Sequence, residues 1–252
     1  MPALLEGYGL TVRFGGLTAL RGVAFALSPG EVLSVIGPNG AGKTTLFNVV
    51  AGSIRPTAGR VVLRGRSLDR LPSHQIARLG VVRTFQKTEI FWPLSLLQGV
   101  QAGSLARREC STVDALFGRG NREIVVDRAR EALRTVGLLS KMDVPAEQLS
   151  YGEQRLLELA QALAADPEVL LLDEPASGMN REESAHIMRV IGELRARGLA
   201  IILVEHNMHV VMTMSDRVIV LNHGEKIAEG TADQVRMNSR VIEAYLGVAR
   251  PG

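Results

Sequence analysis

The chain has 252 residues, with 46% hydrophobic and 22% charged side chains and a formal net charge of +3. This length and composition indicate one globular core, alone or with a smaller lobe, and they exclude an intrinsically disordered chain. The small net charge gives no support for nucleic-acid binding, and the single cysteine, Cys110, excludes an intrachain disulfide framework.

Antiparallel strands are predicted in the first part of the chain. Residues 10–14 and 20–28 are strand-like runs, and Gly15 with Gly16 supplies the turn that joins them. Residues 60–64 form another strand-like run. We therefore expect an N-terminal antiparallel β subdomain.

Phosphate binding is predicted for residues 37–45, which match the pattern G-x-x-x-x-G-K-[ST] after a short apolar run at residues 31–36. The glycines let backbone N–H groups point inward, and a predicted helix over residues 43–51 adds the positive end of its dipole. Lys43 would reach the β- and γ-phosphates, and the hydroxyl of Thr44 suits Mg²⁺. The segment therefore predicts a bound nucleoside triphosphate.

Helices are predicted in the middle of the chain. Residues 91–139 have a helical pattern broken by glycines, which indicates an inserted helical lobe. A further helix is predicted over residues 150–164, where Ser150 and Glu153 have the spacing of a capping box.

Strands and helices alternate in the rest of the predicted structure. Strands are expected at residues 81–85, 168–172, 200–204 and 217–221, with helices at 181–197 and 207–214. This alternation predicts a mainly parallel sheet with the functional residues at the carboxyl ends of its strands.

Polar side chains follow several of these strands. Asp173 and Glu174 come after an apolar run, and phosphoryl transfer to water needs one carboxylate near Mg²⁺ and another group that activates the water. Gln86 could reach the metal or the attacking water, and His206 could donate to a γ-phosphate oxygen. The alternatives without a catalytic role are an acidic turn for Asp173 and Glu174, a loop residue for Gln86 and a structural histidine for His206.

The motifs together resemble those of ABC transporter ATP-binding subunits, in order and spacing, over nearly the whole chain. The specific part is Leu-Ser-Tyr-Gly-Glu-Gln at residues 149–154, which other phosphate-loop proteins lack. The resemblance implies an α/β fold: a phosphate-loop NTPase core with a mainly parallel sheet, an N-terminal antiparallel β subdomain and an inserted helical subdomain. Within this single domain, residues 1–90 and 160–252 form the core and residues 91–159 the helical subdomain.

The resemblance also implies a role for each matching residue. Phe14 stacks on adenine, with Tyr8 as the alternative. The residues that cradle the ATP phosphates are Gly37, Asn39, Gly40, Gly42, Lys43, Thr44 and Thr45. The ligands of Mg²⁺ are Thr44, Gln86 and Asp173. The catalytic residues are Glu174 as general base, His206 as switch histidine and Gln86.

Ser150, Gly152 and Glu153 belong to a second anion site at a helix N-terminus. In the family, this site binds the γ-phosphate of ATP held by another subunit, so two chains close head to tail around two ATP molecules. One isolated chain is therefore expected to bind ATP but to hydrolyse it poorly.

A narrower resemblance rests on residues 14–17, 83–86, 205–208 and 241–247, which look like the longer ATP-binding subunit of branched-chain amino acid importers. It implies an ATPase that energises uptake of branched-chain or other hydrophobic amino acids. The implied partners are membrane permease subunits, a second ATP-binding subunit forming a hetero- or homodimer, and indirectly a periplasmic or extracellular solute-binding protein; no nucleic acid is expected. With no signal peptide or transmembrane segment apparent, a peripheral position on the cytoplasmic side of the cell membrane is expected.

The sequence departs from the family pattern just after Gln86 and at Asn180, where many members have aspartate. Three alternatives remain open: the ATPase of a lipid or lipopolysaccharide exporter, a soluble ABC ATPase acting on nucleic acid or ribosomes, and a phosphate-loop kinase. Phosphate release without an acceptor would exclude the kinase, and co-purifying membrane protein rather than nucleic acid would exclude the soluble ATPase.

Overall fold

The computed structural model describes residues 3–84, 93–104 and 119–246. The chain divides into two compact units, one formed by Met1–Ser73 with Arg195–Gly252 and the other by His74–Leu194. The subdomain boundaries expected near residues 90 and 159 stay predictions. None of the helices in the described ranges is both long and apolar enough to cross a membrane.

The strands of the described residues are β1 (Leu5–Phe14), β2 (Leu17–Leu27), β3 (Val32–Ile36), β4 (Ala58–Leu63), β5 (Arg66–Ser67), β6 (Val81–Arg83), β7 (Val169–Asp173), β8 (Ala200–Val204), β9 (Arg217–Asn222) and β10 (Glu225–Gly230). The α-helices are α1 (Lys43–Val50), α2 (Ser73–Arg78), α3 (Leu96–Ser104), α4 (Arg119–Thr135), α5 (Tyr151–Ala164), α6 (Arg181–Ala196), α7 (Met208–Met214), α8 (Ala232–Arg236) and α9 (Ser239–Leu246), with short 3₁₀ turns at Leu139–Lys141 and Ala146–Gln148.

An antiparallel sheet in the first unit has the strand order β2-β1-β4-β5. Phe14 pairs with Leu17 across the turn that the two glycines form, and Leu5 pairs with both Leu27 and Leu63. The expected N-terminal antiparallel subdomain is confirmed, and its first strand begins at Leu5, earlier than residue 10.

Parallel strands carry the phosphate loop in the same unit. The strand β3 lies between β8 and β9 and is parallel to both, with Ser34 opposite Leu203 and Val218. All five residues of β3 and of β8 are buried, as expected for central strands with apolar side chains on both faces. The strand β10 adds antiparallel to β9.

A hydrophobic cluster in the first unit ties its last three helices to these strands. Its buried members are Ile36, Val211, Val218, Val220, Ala232, Val235 and Val241. Burying seven aliphatic side chains is favourable by about 1 kcal/mol or more for each of the larger ones. Ile36 is the last residue of β3, so this cluster fixes the point at which the strand enters the phosphate loop.

The second unit has a parallel strand pair and packed helices. Val82 in β6 lies opposite Leu170 in β7. The helices α3, α4 and α5 contact one another, and their buried faces include Val100, Leu133 and Leu157. The helical pattern predicted from residue 91 onward is confirmed for the two described helices in that part, α3 and α4.

Candidate functional site

The phosphate loop begins at a position that only glycine can occupy. Gly37 follows β3 directly and has a φ angle of 150°. A Cβ atom at this position would lie 2.1 Å from the carbonyl oxygen of Leu221, which is far inside van der Waals contact. The chain can therefore turn at Gly37 while β9 passes beside it, and the loop that follows starts from a fixed direction.

The loop ends at the N-terminus of α1, which has no side-chain cap among the described residues. Its N-cap residue, Gly42, has a left-handed backbone with φ 105°, and the first turn of the helix has no acidic residue. The first N–H groups of a helix need partners, and the positive end of the dipole favours an anion. Asn39, Gly40 and Thr44 are exposed, so a phosphate can approach this part of the loop.

The ammonium group of Lys43 lies against the loop. Its Nζ donates hydrogen bonds to the carbonyl oxygens of Gly37, at 2.7 Å, and of Pro38, at 3.1 Å. These contacts keep a partly buried positive charge at the start of the loop. Because the lysine stem has several rotatable bonds, the ammonium can turn from the carbonyls to a phosphate oxygen.

Phe14 lies at the tip of the β1–β2 hairpin and is exposed, with 49% of its surface accessible. Tyr8 is also exposed, but its hydroxyl donates to Glu6 at 2.6 Å and its ring lies 5.3 Å from the guanidinium of Arg60. The hydrogen bond to Glu6 raises the pKa of Tyr8, and burial and the Glu6 charge act in the same direction. Tyr8 is thus engaged on its own sheet, which favours Phe14 for stacking on adenine.

His206 is exposed at the second position after β8, and the buried carboxylate of the residue between them accepts hydrogen bonds from the backbone there. Glu205 is only 2% exposed, and its Oε2 accepts the backbone N–H groups of His206 and Asn207 at 3.2 and 3.3 Å. Asn207 in turn caps α7 through its side chain. Glu205 was not among the predicted site residues, although a charged residue directly after a five-residue apolar strand was a visible signal.

Asp173 ends β7 in the second unit and is paired with an arginine. Its Oδ2 lies 2.9 Å from Nη2 of Arg83, and the two side chains are 4% and 18% exposed. Carboxylate oxygens are suitable ligands for Mg²⁺. A metal ion at Oδ2 would compete with Arg83, whose contact with Asp173 was not predicted from the sequence.

Glu174 follows Asp173 with a left-handed backbone, at φ 49°. Such a conformation is uncommon for a residue other than glycine and occurs often at functional sites. The side chain of Glu174 is partly exposed, whereas Pro175 is buried. Gln86, expected beside these carboxylates, lies outside the described residues.

The signature residues form the predicted capping box. The hydroxyl of Ser150 accepts the N–H of Glu153 at 3.3 Å, and the Glu153 carboxylate accepts the N–H of Ser150 at 3.1 Å. The Ser150 hydroxyl keeps its own proton for donation to a ligand. Gly152 is buried, and a Cβ there would lie 2.5 Å from the carboxylate of Glu183.

Glu153 is also paired with Lys141. Burial acts to raise the pKa of Glu153, but hydrogen bonds from Lys141 and Ser150 outweigh it and hold the pKa below its ordinary value. The Glu153 carboxylate is therefore negatively charged at neutral pH and would repel a phosphate. Its contact with ATP stays a prediction, whereas its hydrogen bond to the N–H of Ser150 caps α5.

The predicted residues belong to two groups. Phe14, the phosphate-loop residues and His206 are in the first unit. Asp173, Glu174 and the three signature residues are in the second. Each group therefore contains a complete local arrangement: an anion-binding loop in the first, and two strand-end carboxylates with a capped helix N-terminus in the second.

Comparisons with known proteins agree with these arrangements. The family model described as ABC transporter matches residues 20–177, and the one described as branched-chain amino acid ATP-binding cassette transporter matches residues 225–250. The chain is 43% identical over 252 residues to the high-affinity branched-chain amino acid transport ATP-binding protein LivG of Escherichia coli (strain K12), which covers 98% of each chain. It is 40% identical over 252 residues to the corresponding protein BraF of Pseudomonas aeruginosa, again covering 98% of each chain.

Solved structures of ATP-binding cassettes have the same fold. A nucleotide-free cassette from an ABC transporter is 28% identical with a TM-score of 0.85, covering 96% of this chain and 98% of that chain. A cassette in its ADP conformation is 28% identical with a TM-score of 0.87, covering 98% of this chain and 100% of that chain. The resemblance and the fold class predicted from the motifs are confirmed.

Proposed function

This chain belongs to the ABC transporter family as an ATP-binding subunit, and from that membership we propose that it hydrolyses ATP to drive uptake of branched-chain or other hydrophobic amino acids. The family match covers the motifs of an ATPase, and the C-terminal match and the named relatives support the cargo class. Transport would proceed through separate membrane permease subunits. The chain itself would then lie on the cytoplasmic face of the membrane.

The observation that carries the ATP site is the N-terminus of α1. The glycine turn at Gly37, the uncapped helix end behind Gly42 and the adjacent ammonium of Lys43 combine three features that favour a phosphate. Thr45 and the exposed Asn39 complete the loop. Phe14 supplies an exposed aromatic ring for the adenine.

Mg²⁺ fits the oxygen donors of the proposed site. The ligands from this chain would be the hydroxyl of Thr44, the amide of Gln86 and the carboxylate of Asp173. When bound, the ion would neutralise charge that develops on the phosphates. Asp173 would pass from Arg83 to the metal, because both cations compete for the same carboxylate oxygen.

Glu174 is the proposed general base, and His206 the proposed donor to the γ-phosphate. Glu174 is partly exposed at the end of β7, where an attacking water can reach it. His206 is exposed, and its backbone N–H donates to the Glu205 carboxylate. Together they would orient the water and sense the phosphate that leaves.

The signature residues would act on ATP held by a second ATP-binding subunit. The proton of the Ser150 hydroxyl and the N–H groups at the start of α5 form a set of donors for an anion. Such a half-site needs a partner chain to supply the rest. A solute-binding protein outside the cell would deliver the amino acid to the permease.

The test is a reconstituted transporter in vesicles, assembled with its permease subunits, its second ATP-binding subunit and the solute-binding protein. We expect uptake of radiolabelled leucine that depends on internal ATP and is competed by isoleucine and valine. Glu174→Gln should bind ATP and stop transport. Lipid movement to the opposite leaflet without leucine uptake would overturn the importer assignment in favour of an exporter.

A further inference from the structure

The proposed general base sits in a tight turn. Glu174 has a left-handed backbone, at φ 49°, and its carbonyl oxygen accepts the N–H of Ser177 at 3.1 Å. This hydrogen bond closes a four-residue turn in which Pro175 is the second residue, a position where its fixed φ is favourable. An unusual conformation persists only where the surroundings hold it, so whatever anchors this turn also sets the direction of the Glu174 side chain.

The turn is anchored by a tyrosine of the signature segment. The hydroxyl of Tyr151 donates to the carbonyl oxygen of Ser177 at 3.1 Å. Its ring packs against Gly178, the next residue of the same loop. Two hydrogen bonds thus connect Tyr151 with Glu174: one from the phenol to Ser177, and one from the N–H of Ser177 to the Glu174 carbonyl.

The phenol is itself fixed by the helix that it begins. Nε and Nη2 of Arg155, one turn further along α5, donate to the Tyr151 oxygen at 3.1 and 2.9 Å. Nη1 of Arg155 donates to the buried carboxylate of Glu158 at 3.0 Å. A charged donor on the phenol oxygen strengthens the phenol as a donor to Ser177, because hydrogen bonds in a chain polarise one another.

Electrostatics support the same arrangement. Burial acts to lower the pKa of Arg155, but Glu158 and Tyr151 outweigh burial and the pKa is raised above its ordinary value. Arg155 and Glu158 line a small cavity together with Asp173 and Pro175. The paired charges of Arg155 and Glu158 therefore line the same cavity as Asp173 and the residue that follows Glu174.

From these contacts we propose that Tyr151 is a positioning residue for Glu174, through which the signature helix of a chain sets the base of that same chain. The inference rests on the proposed ATPase function. When Ser150 and Gly152 engage the nucleotide of the partner subunit, a shift at the start of α5 passes through the phenol to the turn.

The test uses the assembled transporter. In its second ATP-binding subunit the general-base carboxylate is replaced by the amide, so that ATP hydrolysis depends on Glu174 of this chain. Tyr151→Phe keeps the ring and removes the donor to Ser177. We expect kcat to fall about three- to tenfold, the range for loss of one hydrogen bond. The KM for ATP should stay within about twofold, because the contact does not reach the phosphate loop.

A second variant changes Arg155, which donates to the Tyr151 hydroxyl oxygen. Arg155→Lys keeps a positive charge beside Glu158 but cannot donate two hydrogen bonds to the phenol. It should reproduce most of the loss in kcat, and the double variant should be no slower than Tyr151→Phe, because both act through one contact. The matched control is Arg189→Lys, an exposed arginine on α6 beside His186, which should leave kcat unchanged.

The outcomes separate the inference from the proposed function. Tyr151→Phe with unchanged kcat in a complex that unfolds at the wild-type temperature would overturn the inference. A raised KM with unchanged kcat would also overturn it, because Tyr151 would then serve nucleotide binding. A wild-type complex that hydrolyses no ATP would overturn the proposed function itself.

Discussion

Removing Arg83 should destabilise the unit that contains Asp173. Arg83→Met keeps most of the side-chain length and removes the charge that pairs with a carboxylate only 4% exposed. Removing one partner of a buried ion pair lowers the unfolding free energy by about 3 kcal/mol at the lower end of the usual range. We use this lower end because the Arg83 side chain is partly exposed. For a domain of this size the melting temperature should fall by about 6–12 °C.

Urea denaturation followed by circular dichroism at pH 7 without nucleotide measures this loss directly. The denaturant slope should be unchanged while the midpoint falls. Asp173→Asn and the double variant complete the cycle, and the double variant should be more stable than Arg83→Met, because position 173 then carries no buried charge that lacks Arg83. Arg83→Met within about 0.5 kcal/mol of wild type would refute the reasoning.

Three further predictions follow from single contacts. Gly37→Ala should abolish binding of a fluorescent ATP analogue, because its Cβ would meet the carbonyl oxygen of Leu221 at 2.1 Å; wild-type affinity would contradict this. Glu153→Gln should lower the unfolding free energy by about 0.5 kcal/mol at pH 7, because glutamine keeps the capping hydrogen bond but loses the charge that pairs with Lys141. Since hydrogen bonds from Lys141 and Ser150 hold the Glu153 pKa below its ordinary value, that difference should be fully present above the ordinary glutamate pKa and vanish as the pH falls through the lowered pKa; a constant difference in acid titration would argue against it. Phe14→Ala should weaken ATP affinity about tenfold in equilibrium titration, by loss of stacking worth about 1 kcal/mol or more, and an unchanged affinity would exclude this ring.

Local spacing was enough to predict several parts of the site. The serine and glutamate of the signature are three residues apart, and the structure contains their reciprocal hydrogen bonds. The apolar run before Asp173 correctly predicted a buried strand with a carboxylate at its end. In both cases the partners are neighbours in the chain, so sequence pattern and local structure coincide.

Contacts between distant segments could not be predicted in the same way. Arg83 reaches Asp173 because β6 pairs with β7 and places Arg83 opposite Leu171, a contact across 90 residues of chain. The bond from Tyr151 to Ser177 likewise depends on how α5 meets a loop. The last elements were missed: β10 and α8 are short and polar, and α9 has only eight residues, although Thr231 and Gln234 have the capping-box spacing that marks the start of α8.

The departure at Asn180 has a structural account that the sequence lacked. Its Oδ1 accepts the N–H groups of Glu182 and Glu183 at 2.9 and 3.0 Å, and the Glu183 carboxylate accepts the N–H of Asn180. Asparagine and aspartate are nearly equal as N-cap residues. The substitution therefore leaves the start of α6 capped, and it changes the charge of the loop rather than its anchoring.

The N-terminus of α1 differs from those of six other described helices in how it is capped. Polar side chains cap the N-termini of six helices: Ser95 for α3, Ser150 for α5, Asn180 for α6, Asn207 for α7, Thr231 for α8 and Asn238 for α9. The N-terminus of α1 has instead a left-handed glycine, and no described side chain caps it. A glycine at the N-cap costs only about a few tenths of a kcal/mol relative to a polar cap, and another group can supply the missing acceptor. A nucleotide phosphate is such an acceptor, so ATP should stabilise the start of α1.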